Sequence, residues 1–302
     1  MEYREQTAKV LKLRDSKVFT PVALGETSKM LQLNPEFNAV WNYRRDIIQH
    51  LYDTLNTDFW DKELKFTMSQ LKAYPKVYWI WNHRVWCLNQ YPGSPTRIWL
   101  FELAIVDELL KMDARNFHGW HYRRFVVDKL ENLTGENMNL PEFGHTKVRI
   151  NENISNFSAW HRRAQLIPDM FKRDQIKDKK EFVNQELEYI TNAMFTDAED
   201  QSVWVYIKWF IKDGCIVDQL EREKYMEMLD SLAEKIRMIN DDEVEFSGKD
   251  NVWCLKTLIV IENIQKNDLC LEIQPHATEY LKKLIKVDPL RKNRYLYLLE
   301  KE

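Results

Sequence analysis

Glycine and proline are scarce in this chain of 302 residues, with 7 and 9 copies respectively. The turns of all-β and loop-rich proteins depend on these two residues, so their scarcity argues against both classes. No stretch alternates apolar and β-branched residues with polar ones over a length sufficient for a sheet. The sequence therefore predicts a chain made almost entirely of helices.

Cysteine is equally rare, and its four copies (Cys87, Cys215, Cys254 and Cys270) show no CxxC or other metal-ligand spacing. This usage is typical of free thiols in an intracellular protein. Residues 1–17 are too charged for the apolar region of a secretory signal. The longest apolar run, centred on residues 258–261, falls far short of a membrane span. We therefore expect a cytoplasmic protein that is not an integral membrane protein.

A strong excess of positive charge is also missing. Charged residues make up 30% of the chain, yet the net charge is only −3. General nucleic-acid binders carry a marked basic excess. The composition therefore predicts no nucleic-acid partner, and it suits helices whose outer faces carry charges of both signs.

The chain does contain many tryptophans, and most of them recur at a fixed spacing. The segments PEFNAVWNYRRD, PKVYWIWNHRVW, ARNFHGWHYRRF and ISNFSAWHRRAQ align on one tryptophan, and two weaker copies follow. The aligned tryptophans are separated by steps of 40, 39, 40, 44 and 49 residues: Trp41, Trp81, Trp120, Trp160, Trp204 and Trp253. A period near 40 residues indicates stacked structural repeats.

Each repeat reads as a first amphipathic helix, a short polar turn and a second helix that carries Trp-x-x-Arg. We predict an all-α fold in which six to seven antiparallel helix pairs stack into a right-handed superhelix, a crescent like that of TPR proteins. Residues 1–16 are predicted to form an N-terminal arm, and residues 17–302 a single helical-repeat domain.

The repeated residues admit two interpretations. The tryptophan is predicted to be a buried wedge between neighbouring helix pairs. The arginine three residues later (Arg44, Arg84, Arg123 and Arg163) lies one helical turn away on the same face. We favour a structural role, in which it bonds carbonyl groups at a helix end or a carboxylate of the next pair. The alternative is a ladder of cations for an anionic ligand.

The histidines do not indicate a metal site. His118 and His121 form an H-x-x-H pair on a predicted helix, but no third ligand follows at a recognisable spacing. The chain also contains no glycine-rich phosphate loop and no Ser/His/Asp order typical of a hydrolase. We therefore predict no metal on this chain, which by itself does not resemble a complete enzyme.

Lys76 and Tyr78 depart from the pattern of the other repeats. The position five before the tryptophan is Glu36, Arg115 or Ser155 in the other strong copies, whereas here it is a lysine at a helix start. A cation at this end opposes the helix dipole, unless an anion binds between the two. The alternative is an exposed lysine that simply follows Pro75.

These Trp-centred repeats resemble those of the protein prenyltransferase α subunits. The resemblance extends from about residue 17 to residue 295. Within the family the chain is most similar to the Rab-type (type II geranylgeranyltransferase) α subunits, through NPEFNAVWNYRRDI, DARNFHGWHYRRFV, ISNFSAWHRR, TDAEDQSVWVYIKWF and DPLRKNRY. The resemblance implies a heterodimer with a β subunit that holds the catalytic Zn²⁺, with no cofactor on this chain.

The resemblance also implies a reaction and a set of site residues. Geranylgeranyl diphosphate in a shared site would alkylate C-terminal cysteines of Rab GTPases that an escort protein presents. The family's α subunit supplies a lysine and a tyrosine near the diphosphate, and these match Lys76 and Tyr78. Asn116 and His118, at the matching start of the next helix, would form the adjacent wall or the subunit interface.

Two other functions stay open at this point. The α subunit shared by farnesyltransferase and geranylgeranyltransferase I carries the same repeats. A helical scaffold without enzymatic activity is the second alternative, although the period is long for TPR repeats and Trp-x-x-Arg does not match their pattern of small residues.

Overall fold

The computed structural model describes residues 2–272 and 275–301. Within these ranges the chain forms α-helices, two 3-10 turns and one π-helical turn, and no β-strand. The residues group into two compact units, Met1–Asn137 and Met138–Glu302. The all-α prediction is confirmed, whereas the division into an arm and one helical-repeat domain stays a prediction.

The first unit contains seven helices. They are α1 (Glu2–Asp15), α2 (Pro21–Leu33), α3 (Asn38–His50), α4 (Thr57–Ala73), α5 (Tyr78–Gln90), α6 (Thr96–Met112) and α7 (Phe117–Thr134). Helices α2 to α7 form three consecutive pairs, and a short turn joins the two helices of each pair. The first helix, α1, packs on α2 and buries Val10.

The second unit contains nine helices in its described part. They are α8 (Asn139–Glu152), α9 (Phe157–Lys172), α10 (Lys179–Thr196), α11 (Gln201–Phe210), α12 (Gly214–Val217), α13 (Arg222–Ser247), α14 (Val252–Asn263), α15 (Ala277–Val287) and α16 (Lys292–Leu299). Four further pairs result: α8 with α9, α10 with α11, α13 with α14, and α15 with α16. The described chain therefore holds seven pairs, within the predicted range of six to seven.

Short polar turns start most of the second helices, as the sequence pattern predicts. Asn116 begins α7, Asn156 begins α9 and Asn251 begins α14, and each side-chain oxygen accepts a backbone N–H of the first turn. Such a bond satisfies one of the amide groups that a helix leaves without an internal partner. The long helix α13 ends at Gly248, whose positive φ of 73° suits glycine.

Five of the six repeat tryptophans are buried, and these five share one kind of hydrogen bond. In five repeats the indole Nε1 donates to the carbonyl oxygen six residues earlier, at 2.8–2.9 Å. The donors are Trp41, Trp81, Trp120, Trp160 and Trp204, and none is more than 5% exposed. Each tryptophan therefore fills the core and also fixes the turn that precedes its helix. Removing such a side chain costs about 3–5 kcal/mol.

Two further predictions concern the environment of the chain. All four cysteines are free thiols, and Cys87 and Cys254 are buried. Among the residues that the structure describes, no helix combines the length and the apolar character required to cross a bilayer.

Candidate functional site

The candidate site lies at the turn between α4 and α5. The chain leaves α4 at Ala73, and α5 begins at Tyr78. The residue at the N-cap is Val77, whose side chain has no acceptor for the first backbone N–H groups. Asn116 and Asn156 cap the corresponding helices α7 and α9, whereas α5 shares an uncapped start with α3, whose N-cap residue is Phe37. Uncapped N–H groups and the positive end of the helix dipole together favour an anion at this point.

Lys76 lies just before this helix start and is mostly exposed. Its Nζ is 3.4 Å from Oδ2 of Asp113, and 75% of its side chain is accessible. Asp113 terminates α6, where its backbone N–H donates to the Leu109 carbonyl. An exposed ion pair of this length contributes at most about 1 kcal/mol. Lys76 can therefore exchange Asp113 for another anion at little cost.

Asn116 supports the same turn from the interior of the protein. Its Nδ2 donates to the Pro75 carbonyl at 3.0 Å, and its Oδ1 accepts the backbone N–H groups of His118 and Gly119. Because Trp81 donates to the same Pro75 oxygen at 2.9 Å, that carbonyl carries two donors. Asn116 is buried, and both of its amide atoms are engaged. Its observed role is therefore to position the Lys76 turn.

His118 links the turn to the side chains that face solvent. Its half-buried ring lies beside the backbone of Lys76, and the ring centre is 6.0 Å from that of Tyr78. Burial lowers the pKa of His118 below its ordinary value, and the charge of His121 acts in the same direction. The imidazole is therefore neutral at pH 7. Tyr78 is 54% exposed at the first position of α5.

The structure thus brings all four predicted residues together. Lys76, Tyr78 and His118 reach solvent at one place, and Asn116 supports them from inside. The site offers an ammonium group, a phenol and free helix N–H groups, all of which stabilise negative charge. It places no activated nucleophile beside a base. The chemistry that it supports is electrostatic assistance to a reaction whose other groups come from elsewhere.

Three of the repeat arginines, Arg44, Arg84 and Arg163, bond a carboxylate of the next pair as predicted, and Arg123 bonds Asp107 of α6 in its own pair. Arg84 donates through Nε and Nη2 to both carboxylate oxygens of Glu102, at 2.8 and 2.7 Å, and its Nη1 bonds Thr67 and the Leu64 carbonyl. Arg44 makes the same two-pronged contact with Glu63, as does Arg163 with Glu186. In each case the carboxylate comes from the first helix of the next pair.

Sequence reasoning missed these glutamates, although they were detectable. Glu63, Glu102, Glu142 and Glu186 follow one another at steps of 39, 40 and 44 residues, in parallel with the tryptophans. Each of three also accepts a bond from the second helix of its own pair: Glu63 from His83, Glu102 from Tyr122 and Glu186 from Tyr206. Each of these buried carboxylates therefore joins two successive helix pairs.

One group of metal-ligating side chains occurs in the described ranges, namely Glu63, His83 and Cys87. All three are buried in the core. Arg44 engages both oxygens of Glu63, and Arg45 donates to Nδ1 of His83 at 3.3 Å. Burial raises the pKa of the Cys87 thiol well above its usual range. Two guanidinium groups and a neutral thiol disfavour a bound cation, so this group does not fit a metal centre.

Comparison with known families identifies the repeats. The model described as "Protein prenyltransferase alpha subunit repeat" matches residues 23–51, 60–91, 99–130 and 183–213. These segments contain Trp41, Trp81, Trp120 and Trp204. The repeat centred on Trp160 lies outside them, yet it has the same indole–carbonyl bond and the same Arg–Glu contact.

Comparison with curated proteins gives relatives over nearly the whole chain. The chain is 54% identical over 299 residues to the geranylgeranyl transferase type-2 subunit alpha of Saccharomyces cerevisiae, a match that covers 99% of this chain and 91% of the relative. The protein of the same name from Schizosaccharomyces pombe is 37% identical with the same coverage. The Rattus norvegicus protein is 35% identical over 69% of this chain and 37% of its own length.

A solved structure shows the same fold. It is the Candida albicans protein geranylgeranyltransferase-I complexed with GGPP, which matches with a TM-score of 0.67. The match covers 99% of this chain and 90% of the other, at 21% sequence identity. At this level of identity the likeness concerns the fold alone.

Proposed function

The chain belongs to the geranylgeranyl transferase type-2 alpha subunits, a branch of the protein prenyltransferases, and on this premise we propose how it takes part in the reaction. It pairs with a prenyltransferase β subunit, and the two chains share one active site. The substrates are geranylgeranyl diphosphate and the C-terminal cysteines of Rab GTPases presented by an escort protein. The reaction takes place in the cytoplasm, in keeping with four free cysteines.

The reaction forms a thioether bond between the cysteine sulfur and C1 of the geranylgeranyl group. The bond from C1 to the diphosphate oxygen breaks, and diphosphate leaves with the bonding electron pair. A Zn²⁺ ion held by the β subunit would bind the cysteine sulfur of the substrate and lower the pKa of its thiol, so that the thiol loses its proton and reacts as a thiolate. This chain contributes the other half of the charge balance, because the leaving group gains negative charge as the bond breaks.

Lys76 is the residue to which we assign that task. Its Nζ is exposed, makes an exchangeable contact with Asp113, and stands beside the uncapped start of α5. The phenol O–H of Tyr78 can donate a hydrogen bond to the same diphosphate. Asn116 holds the turn through the Pro75 carbonyl, and the ring of His118 lies beside the Lys76 backbone. The observation that carries the proposal is this convergence of an exposed lysine and a free helix N-terminus.

Replacement of Lys76 tests the assignment. In the assembled heterodimer, Lys76→Ala should lower kcat by about 10- to 100-fold, because charge stabilisation in the transition state is lost. Assembly should not change, since the side chain is exposed and packs on nothing. Single-turnover transfer of geranylgeranyl to a Rab substrate is the measurement. Lys72→Ala removes an exposed lysine from the last turn of α4 and serves as the matched control.

Two further variants sharpen this test. Lys76→Arg keeps the charge and should restore most of the lost rate. Tyr78→Phe removes only the phenol oxygen, so it should reduce the rate less than Lys76→Ala does. Equal turnover by Lys76→Ala and the parent enzyme would remove Lys76 from the mechanism and leave the family assignment intact.

A separate experiment distinguishes the type-2 subunit from the two alternative functions, the subunit shared by farnesyltransferase and geranylgeranyltransferase I and the non-enzymatic scaffold. The curated relatives are type-2 subunits, whereas the solved structure of similar fold is a type-I enzyme. Co-purification of this chain with its β subunit, followed by transfer assays with C15 and C20 diphosphates on Rab and CaaX substrates, separates the two enzyme classes. Transfer to CaaX peptides in place of Rab would favour the α subunit shared by farnesyltransferase and geranylgeranyltransferase I. A monomer without any such partner would support a scaffold.

A further inference from the structure

A second basic site lies within the unit Met138–Glu302. A cavity of about 470 Å³ opens between α11, α14, α15 and α16. Its volume falls in the range of about 300–1,000 Å³ that is usual for small-molecule sites. Nothing in the proposed transfer reaction uses it.

The cavity arises where the repeat pattern changes. In the Trp204 repeat the arginine position holds Ile207, which is buried, and the next residue is Lys208. In the Trp253 repeat the arginine position holds Lys256. No hydrogen bond of the Trp253 indole is found among the described residues, and its ring lines the cavity. The Nζ atoms of Lys208 and Lys256 each lie 5.1 Å from the centre of that ring.

Positive charge in the cavity exceeds negative charge. The side chains of Lys208, Lys256, Arg291 and Arg294 line it. One buried carboxylate, Asp288, accepts bonds from Lys256 at 3.0 Å and from Arg291 at 3.0 and 3.1 Å. In the described part of the chain, Lys208 and Arg294 have no carboxylate within 4.0 Å. Two cations of the lining, the half-buried Lys208 and the exposed Arg294, therefore have no carboxylate partner among the described residues.

The cost of this arrangement is visible at Lys208. Its side chain is half-buried, and burial lowers its pKa below the ordinary value. Repulsion from Lys256, Arg294 and Lys212 acts in the same direction. Burying a cation without a partner is unfavourable, and a bound anion would reverse that penalty.

Apart from Asn263 and Tyr295, the rest of the lining is apolar. Leu281 and Leu284 belong to the α15 face that packs against α14, and Ile259 and Leu298 extend the apolar wall. A ligand that filled this space would therefore need an apolar portion beside its anionic group. A phosphate monoester carries a charge of about −1.5 to −2 at pH 7, which suits two unpaired cations better than a single carboxylate does.

We propose that this cavity binds a phosphate or diphosphate ester that carries an apolar chain. The phosphate oxygens accept bonds from Lys208 and Arg294, and the chain packs on the partly exposed side chains of Ile259 and Leu298. The inference stands apart from the proposed function, because it needs neither Lys76 nor a transfer reaction.

Isothermal titration calorimetry of the full chain without its β subunit tests the proposal with three probes, because the shared active site of the heterodimer would also accept a lipid phosphate. Dodecyl phosphate should bind, whereas dodecanol, which lacks the anion, should not. Inorganic phosphate should bind more weakly than dodecyl phosphate, because it cannot use the apolar wall. Lys208→Gln should weaken dodecyl phosphate binding by about tenfold or more, since a charge-assisted bond is lost.

Lys282→Gln is the matched control, because it removes an exposed lysine of α15 that does not line the cavity. It should leave dodecyl phosphate binding unchanged. The melting temperature of Lys208→Gln should equal or exceed that of the parent, because the variant relieves repulsion between cations. A folded Lys208→Gln protein with unchanged affinity would overturn the proposal.

Three other results would also count against it. Equal affinity for inorganic phosphate and dodecyl phosphate would reduce the site to a free-phosphate site without an apolar portion. Failure of dodecyl phosphate to bind the parent chain would remove the site. Loss of heterodimer assembly in Lys208→Gln without loss of dodecyl phosphate binding would assign the cavity to the subunit interface.

Discussion

His83 shows how the surroundings of a single residue decide its chemistry. It occupies a repeat position that is tyrosine after Trp41, Trp120 and Trp204. Its Nε2 lies 2.8 Å from Oε1 of Glu63, and its Nδ1 accepts a bond from Arg45. These two partners select the neutral tautomer with the proton on Nε2. Burial lowers the pKa of His83 to about 4, and the nearby arginines act in the same direction.

This pKa has a consequence for acid stability. Because the folded value of about 4 lies below the ordinary 6.5, the unfolded chain binds the extra proton first as the pH falls. The contribution of His83 is complete above pH 6.5 and should decline by about 3 kcal/mol between pH 6.5 and pH 4. Denaturant unfolding at pH steps from 7 to 4 measures it.

His83→Gln should be less stable at pH 7 but should show a flatter pH dependence across this window. His50→Gln, at the exposed end of α3, tests whether the loss of any histidine has the same effect. Glu63 shares a hydrogen bond with His83, but its lowered pKa affects stability only below its ordinary value of 4.5, so the effect of His83 is read between pH 6.5 and pH 4.5. Parallel curves for His83→Gln and the parent protein between pH 6.5 and pH 4.5 would contradict the assignment.

The sequence revealed Lys76 and Tyr78 because both depart from an otherwise regular repeat. It could not reveal that Asp113 is the partner of Lys76, since that contact depends on how α6 ends beside the α4–α5 turn. Nor could it separate Asn116 from His118. Only the burial and bonding of the two side chains show that one supports the turn while the other reaches solvent.

At the scale of helices, contacts between successive pairs depend on buried ion pairs. Arg84 and Glu102 are each at most 1% exposed, and Arg84 belongs to α5 while Glu102 belongs to α6. Removing one partner from a buried pair leaves an uncompensated charge, which costs about 3–5 kcal/mol. We therefore expect Arg84→Met to lower the free energy of unfolding by that amount, as measured by urea denaturation.

The control for this prediction is Arg115→Met, an exposed position that should change stability by less than about 0.5 kcal/mol. Adding Glu102→Leu to Arg84→Met should recover part of the loss, because the buried charge is then removed on both sides. Recovery stays partial, since Tyr122 also loses its acceptor on Glu102. If Arg84→Met alone were as stable as the parent protein, the ion pair would not contribute to the packing of α5 against α6.

Helix existence and pairing followed from the sequence, because the period of about 40 residues and the Trp-x-x-Arg core are local signals. The glutamates escaped notice because a charged residue on an amphipathic helix normally faces water. Their burial depends on an arginine from the preceding pair, 18 to 23 residues earlier in the chain. The basic cavity could not be predicted for a related reason, because it forms only where four helices meet. In the sequence, Ile207 and Lys208 show only that the Trp204 repeat has no arginine at the usual position.

At the scale of the whole molecule, each unit exposes aromatic residues at the starts of its second helices. Phe117 is 68% exposed at the start of α7 in the first unit, and Phe157 is 45% exposed at the start of α9 in the second. Exposed large apolar side chains in a soluble domain commonly mark a surface for a partner. They are candidates for contact with the proposed β subunit.

Phe117→Ser tests this surface in the full chain. It should leave the melting temperature of the isolated chain unchanged, because the ring is mostly exposed, and weaken β-subunit binding by about tenfold or more. Leu133→Ser changes another exposed apolar residue at the opposite end of α7 and is the matched control. Equal binding by both variants in a titration with the β subunit would remove Phe117 from the interface.

The shared carboxylates also determine where this chain can be cut and rejoined. Glu102 accepts bonds from Arg84 of the preceding pair and from Tyr122 of its own. Excision of α6 and α7 at the turns on either side would therefore remove Glu102. The buried Arg84 guanidinium would then lose its carboxylate partner. A transferable module instead runs from the middle of one first helix to the middle of the next, as from Glu63 to Glu102. Chimeras joined inside these helices keep the Arg84 guanidinium paired with a glutamate. Insertions are usually tolerated at turns, but chimeras joined there keep this pair only if the incoming helix pair has a glutamate at the position of Glu102.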